Sequence, residues 1–133
     1  MNAIIATVEE IECCDMIHIV RFRAHGVSLS MMSLELSDAI MIGSRVRLLI
    51  KPSHIAIAKV FSGELSFENQ LPCKVHSVEN GQLLSSIRLD FFDTSLEAIM
   101  IASASSRMQL KAGDEVVALI PASALSIGSV EDV

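Results

Sequence analysis

The chain is written twice. Residues 1–59 read again, with drift, as residues 69–128. Val8-x-x-Ile11-Glu12 answers to Val75-x-x-Val78-Glu79, and Ile19-x-Arg21-Phe22 to Ser86-x-Arg88-Leu89, both displaced by 67. Gly43-x-x-Val46-x-Leu48-x-Ile50 answers to Gly113-x-x-Val116-x-Ala118-x-Ile120, now displaced by 70. Lys51-Pro52-Ser53 with Ile55-x-Ile57 answers to Pro121-Ala122-Ser123 with Leu125-x-Ile127. The second copy therefore carries three extra residues, between Ser95 and Gly113. A repeat of this period dictates two similar units. Their expected bounds are 1–59 and 69–128, with a linker at 60–68 and a frayed tail at 129–133.

A unit of this size buries only about 60% of its unfolded surface and is marginal alone. The two copies are expected to pack on each other or on a further chain. The 51% hydrophobic content fits a large interface, hence a homodimer or higher homo-oligomer. No apolar run approaches the roughly 18 residues of a membrane span. Met1-Asn2-Ala3-Ile4 lacks a basic opening and is soon followed by Glu9 and Glu10, which argues against a secretion signal and for the cytoplasm. Cys13, Cys14 and Cys73, an odd number in poor disulfide spacing, read as free thiols.

The formal net charge is −6, from ten Lys plus Arg against sixteen Asp plus Glu. Nucleic-acid binding needs a positive patch that displaces counterions. Five Phe, with no Trp or Tyr, also leave few platforms on which bases could stack. Nucleic acid is not an expected partner.

Strand patterns dominate. They predict strands at 4–11, 17–24, 27–31, 44–51 and 55–59, and again at 73–78, 84–91, 95–101, 115–120 and 125–128. Five short strands, twice over, make an all-β protein of two small barrels or sandwiches. Asn80-Gly81 suits a type I′ hairpin turn, and His25-Gly26 a similar one. Gly113 stands where a positive φ is wanted. Between the third and fourth strands each copy has a non-strand stretch, predicted as a short helix: 33–40, capped by Ser33, and 103–108. The linker reads as an ordered strand or strap.

No catalytic motif is found: no phosphate loop, no His-Glu-x-x-His, no Cys-x-x-Cys. The reading is of a non-enzyme. Cys13-Cys14 near Asp15 and His18 invites a metal, but adjacent strand residues point to opposite faces and zinc wants three or four ligands. No metal site is expected. The hydroxyls are more suggestive. Ser28, Ser30 and Ser33 cluster before one predicted helix, and Ser103, Ser105 and Ser106 at the equivalent place. Lys51 and Ser53 lie one strand later, with Ser123 in the second copy. A fully deprotonated dianion such as molybdate, tungstate or sulfate only accepts hydrogen bonds, so a pocket of donors suits it.

Asn69-Gln70-Leu71-Pro72-Cys73-Lys74-Val75 resembles the Asn-Gln-Leu-x-Gly-x-Val opening of Mop domains, the molybdate-binding modules also grouped as TOBE domains. Ile50-Lys51-Pro52-Ser53 with Ile55-Ala56-Ile57 resembles that family's Lys-Ala/Ser segment and last strand, and the two Gly-x-x-Val motifs match as well. The tandem arrangement is similar to the C-terminal, di-Mop half of molybdate-responsive regulators. The resemblance implies an OB-like five-stranded barrel per copy, each with a short helix, and oxyanion sites formed between Mop units. Carried over residue by residue, it implies Ser30-x-x-Ser33 as the Thr-x-x-Ser pair, Lys51, Pro52 and Ser53 as the Lys segment, and Ser66, Asn69 and Gln70 as the opening segment. Ser103, Ser105 and Ser123 supply the second copy's hydroxyls. There are departures: Glu68 stands where the family has Arg, and Pro121 where it has Lys.

The resulting expectation is a protein that binds molybdate or tungstate for storage, buffering or sensing. The rival is a ligand-free module of TOBE type that pairs with a transporter ATPase or a regulator.

Overall fold

The computed structural model describes residues 1–131; Asp132 and Val133, the end of the expected tail, lie outside the described residues. Ten strands and one α-helix follow one another along the described residues. The first repeat supplies β1 (Asn2–Cys14), β2 (Ile17–Ala24), β3 (Val27–Ser33), β4 (Arg45–Ile50) and β5 (Ala56–Ala58). The second supplies β6 (Asn69–Asn80), β7 (Leu84–Phe91), β8 (Thr94–Ile101), α1 (Ala102–Met108), β9 (Glu115–Ile120) and β10 (Ser126–Val130). A 3-10 turn precedes each repeat's last strand, at Pro52–His54 and Ala122–Ala124.

The two five-stranded sheets have the orders β10-β4-β1-β2-β3 and β5-β9-β6-β7-β8. Each sheet thus takes its fifth strand from the other repeat. The partition at 1–59 and 69–128 marks the repeats in sequence, and the folded sheets cross it. Ser126, Ile127, Ser129 and Val130 pair antiparallel with Leu49, Leu48, Arg47 and Val46. Ala56, Ile57 and Ala58 pair with Leu119, Ala118 and Val117. The stretch expected to fray after residue 128 is instead strand as far as Val130. It is held there because Glu131 N–H donates to the Arg45 carbonyl at 2.7 Å and its carboxylate meets Arg47 at 2.9 Å.

Alternation explains which faces meet. Ile4, Ala6 and Val8 of β1 point inward, as do Val20 and Phe22 of β2 and Val46, Leu48 and Ile50 of β4. The second sheet turns in Leu71, Val75, Ile87, Leu89, Phe91, Ala118 and Ile120. All of these belong to one continuous core. Burying each large side chain is worth roughly 1.5–3 kcal/mol, so the two sheets are mutually dependent. At one end the β2–β3 and β7–β8 turns also touch: His25 Nε2 lies 2.9 Å from Asp93 Oδ1, and the His25 ring stacks on Phe92.

The Gly-x-x-Val motif has a structural reason in both repeats. Gly43 and Gly113 take φ of +93° and +92°. Their N–H groups donate to the Val8 and Val75 carbonyls, each at 2.8 Å, beside a bulge in β1 and β6. His25-Gly26 forms the expected turn with φ positive at both residues.

Three local expectations need correction. Asn80-Gly81 makes no type I′ turn, since neither residue has positive φ. Glycine is needed there for closeness: a Cβ on Gly81 would lie 2.7 Å from the Leu84 carbonyl oxygen. The linker 60–68 contains no strand, which leaves the strap of the two forms expected for it. The helix expected at 33–40 is absent. Ser33 Oγ receives the Glu35 N–H at 3.2 Å and donates to the Glu35 carbonyl at 2.6 Å, while Ser37 Oγ receives Ala39 N–H. Such short-range side-chain bonds compete with helical ones. The three extra residues of the second repeat come close to one helical turn of about 3.6 residues, and there α1 forms.

Candidate functional site

The strand exchange decides which candidate residues meet. The turn Pro52–His54, with Lys51 before it and Ser53 in it, packs against β8 of the second repeat. The turn Ala122–Ala124, carrying Ser123, packs against β3, the strand of Ser30 and Ser33. The candidates from one repeat are thus divided between two mixed clusters. The turn that carries Ser123 packs on the strand of Ser30 and Ser33, whereas Ser53 lines a groove with Ala104 and Arg107 of α1, the helix that carries Ser103 and Ser105.

The candidates also divide by how their polar atoms are used. Asn69 is fully buried and its amide is consumed internally. Its Oδ1 receives Ser30 N–H at 2.7 Å, and Nδ2 donates to the Ser30 carbonyl at 3.0 Å and the Ile120 carbonyl at 3.1 Å. This amide acts as a link between β3 and β6. Gln70 Nε2 donates to the Phe67 carbonyl at 3.0 Å. Ser105 is buried and donates to Asn80 Oδ1 at 3.2 Å. Ser33 is held by Glu35 as described. By contrast, among the described residues the side chains of Ser30, Lys51, Ser53, Ser66, Ser103 and Ser123 have no hydrogen-bond or ion-pair partner. All of these but Ser30 are exposed, and Pro52 is half-buried.

Among the described residues, four of the ten cations are occupied by carboxylates: Arg21 by Glu10 and Glu12, Arg23 by Glu9, Arg47 by Glu131 and Lys59 by Asp114. The Asp114 carboxyl is held below the usual carboxylate range. Its main support is the Lys111 backbone N–H at 3.0 Å, with the Lys59 ammonium at 3.1 Å adding to it. Lys51 and Arg107 form no ion pair among the described residues. Glu68 is exposed immediately before Asn69.

All three cysteines are free; Cys13 and Cys14 are exposed beside the Asp15-Met16 turn, and burial pushes the Cys73 thiol up to about 12. Half-buried His18 lies across from Cys13, and its Nδ1 has no partner among the described residues. Among the described residues no group of three or more His, Cys, Asp or Glu is placed to hold a metal ion.

Sequence reasoning passed over two residues. Asn2 does for the other pair of strands what Asn69 does here: its Nδ2 donates to the Glu97 carbonyl and its Oδ1 receives Glu97 N–H, both at 2.8 Å. Asn2 and Asn69, like Ser30 and Glu97, stand 67 apart, so the repeat itself held the signal. The second residue is Arg107, in the last turn of α1, which lines a groove with Ser53 and His54. It belongs to a helix the first repeat lacks, so no repeat signal pointed to it.

A family model matches the second half of the chain, at residues 65–127. They match the model of the TOBE domain. The whole chain shares the fold of ModG, a cytoplasmic molybdate-binding protein crystallised with molybdate bound. The TM-score is 0.89 at 23% identity, over 96% of this chain and 94% of that one. A molybdate-binding protein from Sporomusa ovata aligns at 28% identity over 45% of this chain and 90% of that one, with a TM-score of 0.44. A comparison with curated proteins finds no match. The expected all-β fold of two similar units therefore stands, with its last strands exchanged and, among the described residues, one α-helix rather than two. No helix among the described residues is long and apolar enough to cross a membrane.

Proposed function

We propose that this protein binds a tetrahedral oxyanion, molybdate or tungstate, in the cytoplasm, and serves to store, buffer or sense it without catalysis. One observation carries the reading: the exposed donors Lys51, Ser53, Ser66, Ser103 and Ser123 have no side-chain partner among the described residues. A deprotonated dianion is an acceptor only, and charge-assisted bonds to it are stronger than neutral ones. The fold shared with a molybdate-bound protein supports the same reading.

The sites are completed between copies of the chain. Met16 and Leu83, Ile17 and Leu84, and Leu34 and Ile101 are exposed in pairs 67 apart. Apolar exposure kept at the same positions of both repeats supports a homodimer or higher homo-oligomer. Nucleic acid is not a partner of this chain by itself.

Calorimetric titration with molybdate, with sulfate and phosphate as competitors, tests the proposal. Micromolar or tighter binding that survives excess sulfate is expected. Lys51→Ala should weaken it roughly 10- to 100-fold, the loss of a charged hydrogen bond, without unfolding the protein. No heat from a folded, ligand-free oligomer would overturn the reading.

A second reading is a ligand-free interaction module for a transporter ATPase or a regulator. It is favoured by the internal use of Asn69 and Gln70 and by the exposed carboxylate of Glu68. Copurification with such a protein, together with a silent titration, would select it.

A further inference from the structure

The strand exchange leaves two corresponding grooves, one beside each 3-10 turn, and their chemistry differs. Ile55, Ala56 and Ile57 line one; their counterparts Leu125, Ser126 and Ile127 line the other. The groove beside Ala122–Ala124 has a volume of about 370 Å³, and Glu35, Ser33 and Ser37 are among its polar residues. No cation lines it. The groove beside Pro52–His54 has a volume of about 520 Å³, within the roughly 300–1,000 Å³ of small-molecule sites. Its apolar lining includes Ile57, Phe67, Met100 and Met108, and its polar side chains are Ser53, His54 and Arg107. No carboxylate of the described residues lines it.

This composition selects a class of ligand. A bare inorganic oxyanion gains nothing from an apolar floor and loses hydration over it. A neutral apolar molecule would cover the Arg107 guanidinium without giving it a partner, which is also costly. A molecule with one anionic group and an apolar body satisfies both parts. We propose that the groove between Pro52–His54 and α1 binds a small amphipathic organic anion. Its carboxylate, sulfonate or phosphate is held by Arg107, flanked by Ser53 and His54, and its apolar body rests on Ile57, Phe67 and Met100. The site exists once per chain, because Arg107 rides on the helix the first repeat lacks and Glu35 lines the corresponding groove. It does not depend on molybdate being the oxyanion ligand.

The test is a fluorescence titration of the full chain, in its assembled state, with anilinonaphthalene sulfonate and with the neutral N-phenylnaphthylamine. The sulfonate should saturate at one equivalent per chain. Arg107→Gln should weaken the sulfonate roughly tenfold or more, and leave the neutral probe within about twofold. Arg88→Gln, an exposed arginine elsewhere, should change neither. Ala104→Trp should fill the groove and exclude both probes. Circular dichroism checks that each variant is folded, and Arg107→Gln decides alone if Ala104→Trp is not. The proposal is overturned if the sulfonate binds Arg107→Gln as it binds the parent. It is equally overturned by many weak sites, or by no fluorescence gain in the assembled protein.

Discussion

Asn2 and Asn69 do the same work in opposite directions, each gripping the backbone of a third strand in the other sheet. The stretches 33–40 and Ala102–Met108, at one and the same place in the repeat, do different work. The first is a chain of serine-held turns and the second a helix carrying Arg107. The contacts that close one sheet on the other recur in both copies. Segments that only line a groove were free to diverge, and they account for the different charge of the two grooves.

The comparison can be broken first at the asparagines. Asn69 is fully buried with three bonds and Asn2 is 7% exposed with two. Asn69→Ala should cost about 3–4 kcal/mol and Asn2→Ala about 1–2, from the backbone groups each leaves unpaired. Denaturant unfolding measures both, and equal losses would refute the ranking.

A smaller asymmetry lies in the exchanged strands. A Cβ on Gly128 would stand 2.8 Å from Leu49 Cδ1, while its counterpart Ala58 already carries one. Gly128→Val should cost about 1–3 kcal/mol by overpacking and Ala58→Val clearly less. Similar unfolding midpoints for the two variants would argue against the pairing of β10 with β4.

Smaller still, Gln109 ends α1 with φ of +51°. Gln109→Gly should stabilise the protein by roughly 0.5 kcal/mol, since glycine accepts the left-handed conformation without steric cost. A lower thermal midpoint would count against it.

The last contrast is one of pH. Asp114 Oδ2 receives Lys111 N–H and Ser44 Oγ receives Met41 N–H, both at 3.0 Å, at equivalent places. Only the first partner titrates. The folded pKa of Asp114 lies below its ordinary 3.8. Its contribution is therefore whole above the unfolded value and lost as pH falls through the folded one. The stability gap between the parent and Asp114→Asn should shrink over that acid range. The gap for Ser44→Ala should stay flat.

Much of the fold was legible. The strands at 17–24, 84–91 and 115–120 have the bounds that alternation assigned, since inward Val20, Phe22, Ile87 and Leu89 leave no other register. The exchange of β5 and β10 was not. Ile55-Ala56-Ile57 and Leu125-Ser126-Ile127 carry the same pattern, so either can complete either sheet, and periodicity has nothing to say about which. The missing helix failed for a related reason. A serine hydroxyl that can cap a helix can also close a local turn, and the three-residue deficit in that copy favoured the turn. The donor set was legible as a list of hydroxyls. Its split into free and consumed members was not, because Asn69 and Ser105 spend their polar atoms on residues far away in sequence.

The exchanged strands also set a schedule for synthesis. β4 is complete once Ile50 has been made, yet one of its edges stays open until Ser126–Val130 arrive. The earlier half of the molecule must wait on the ribosome for the later half. During that interval the β4 edge is an invitation to any passing strand, most of all the same strand on a neighbouring nascent chain.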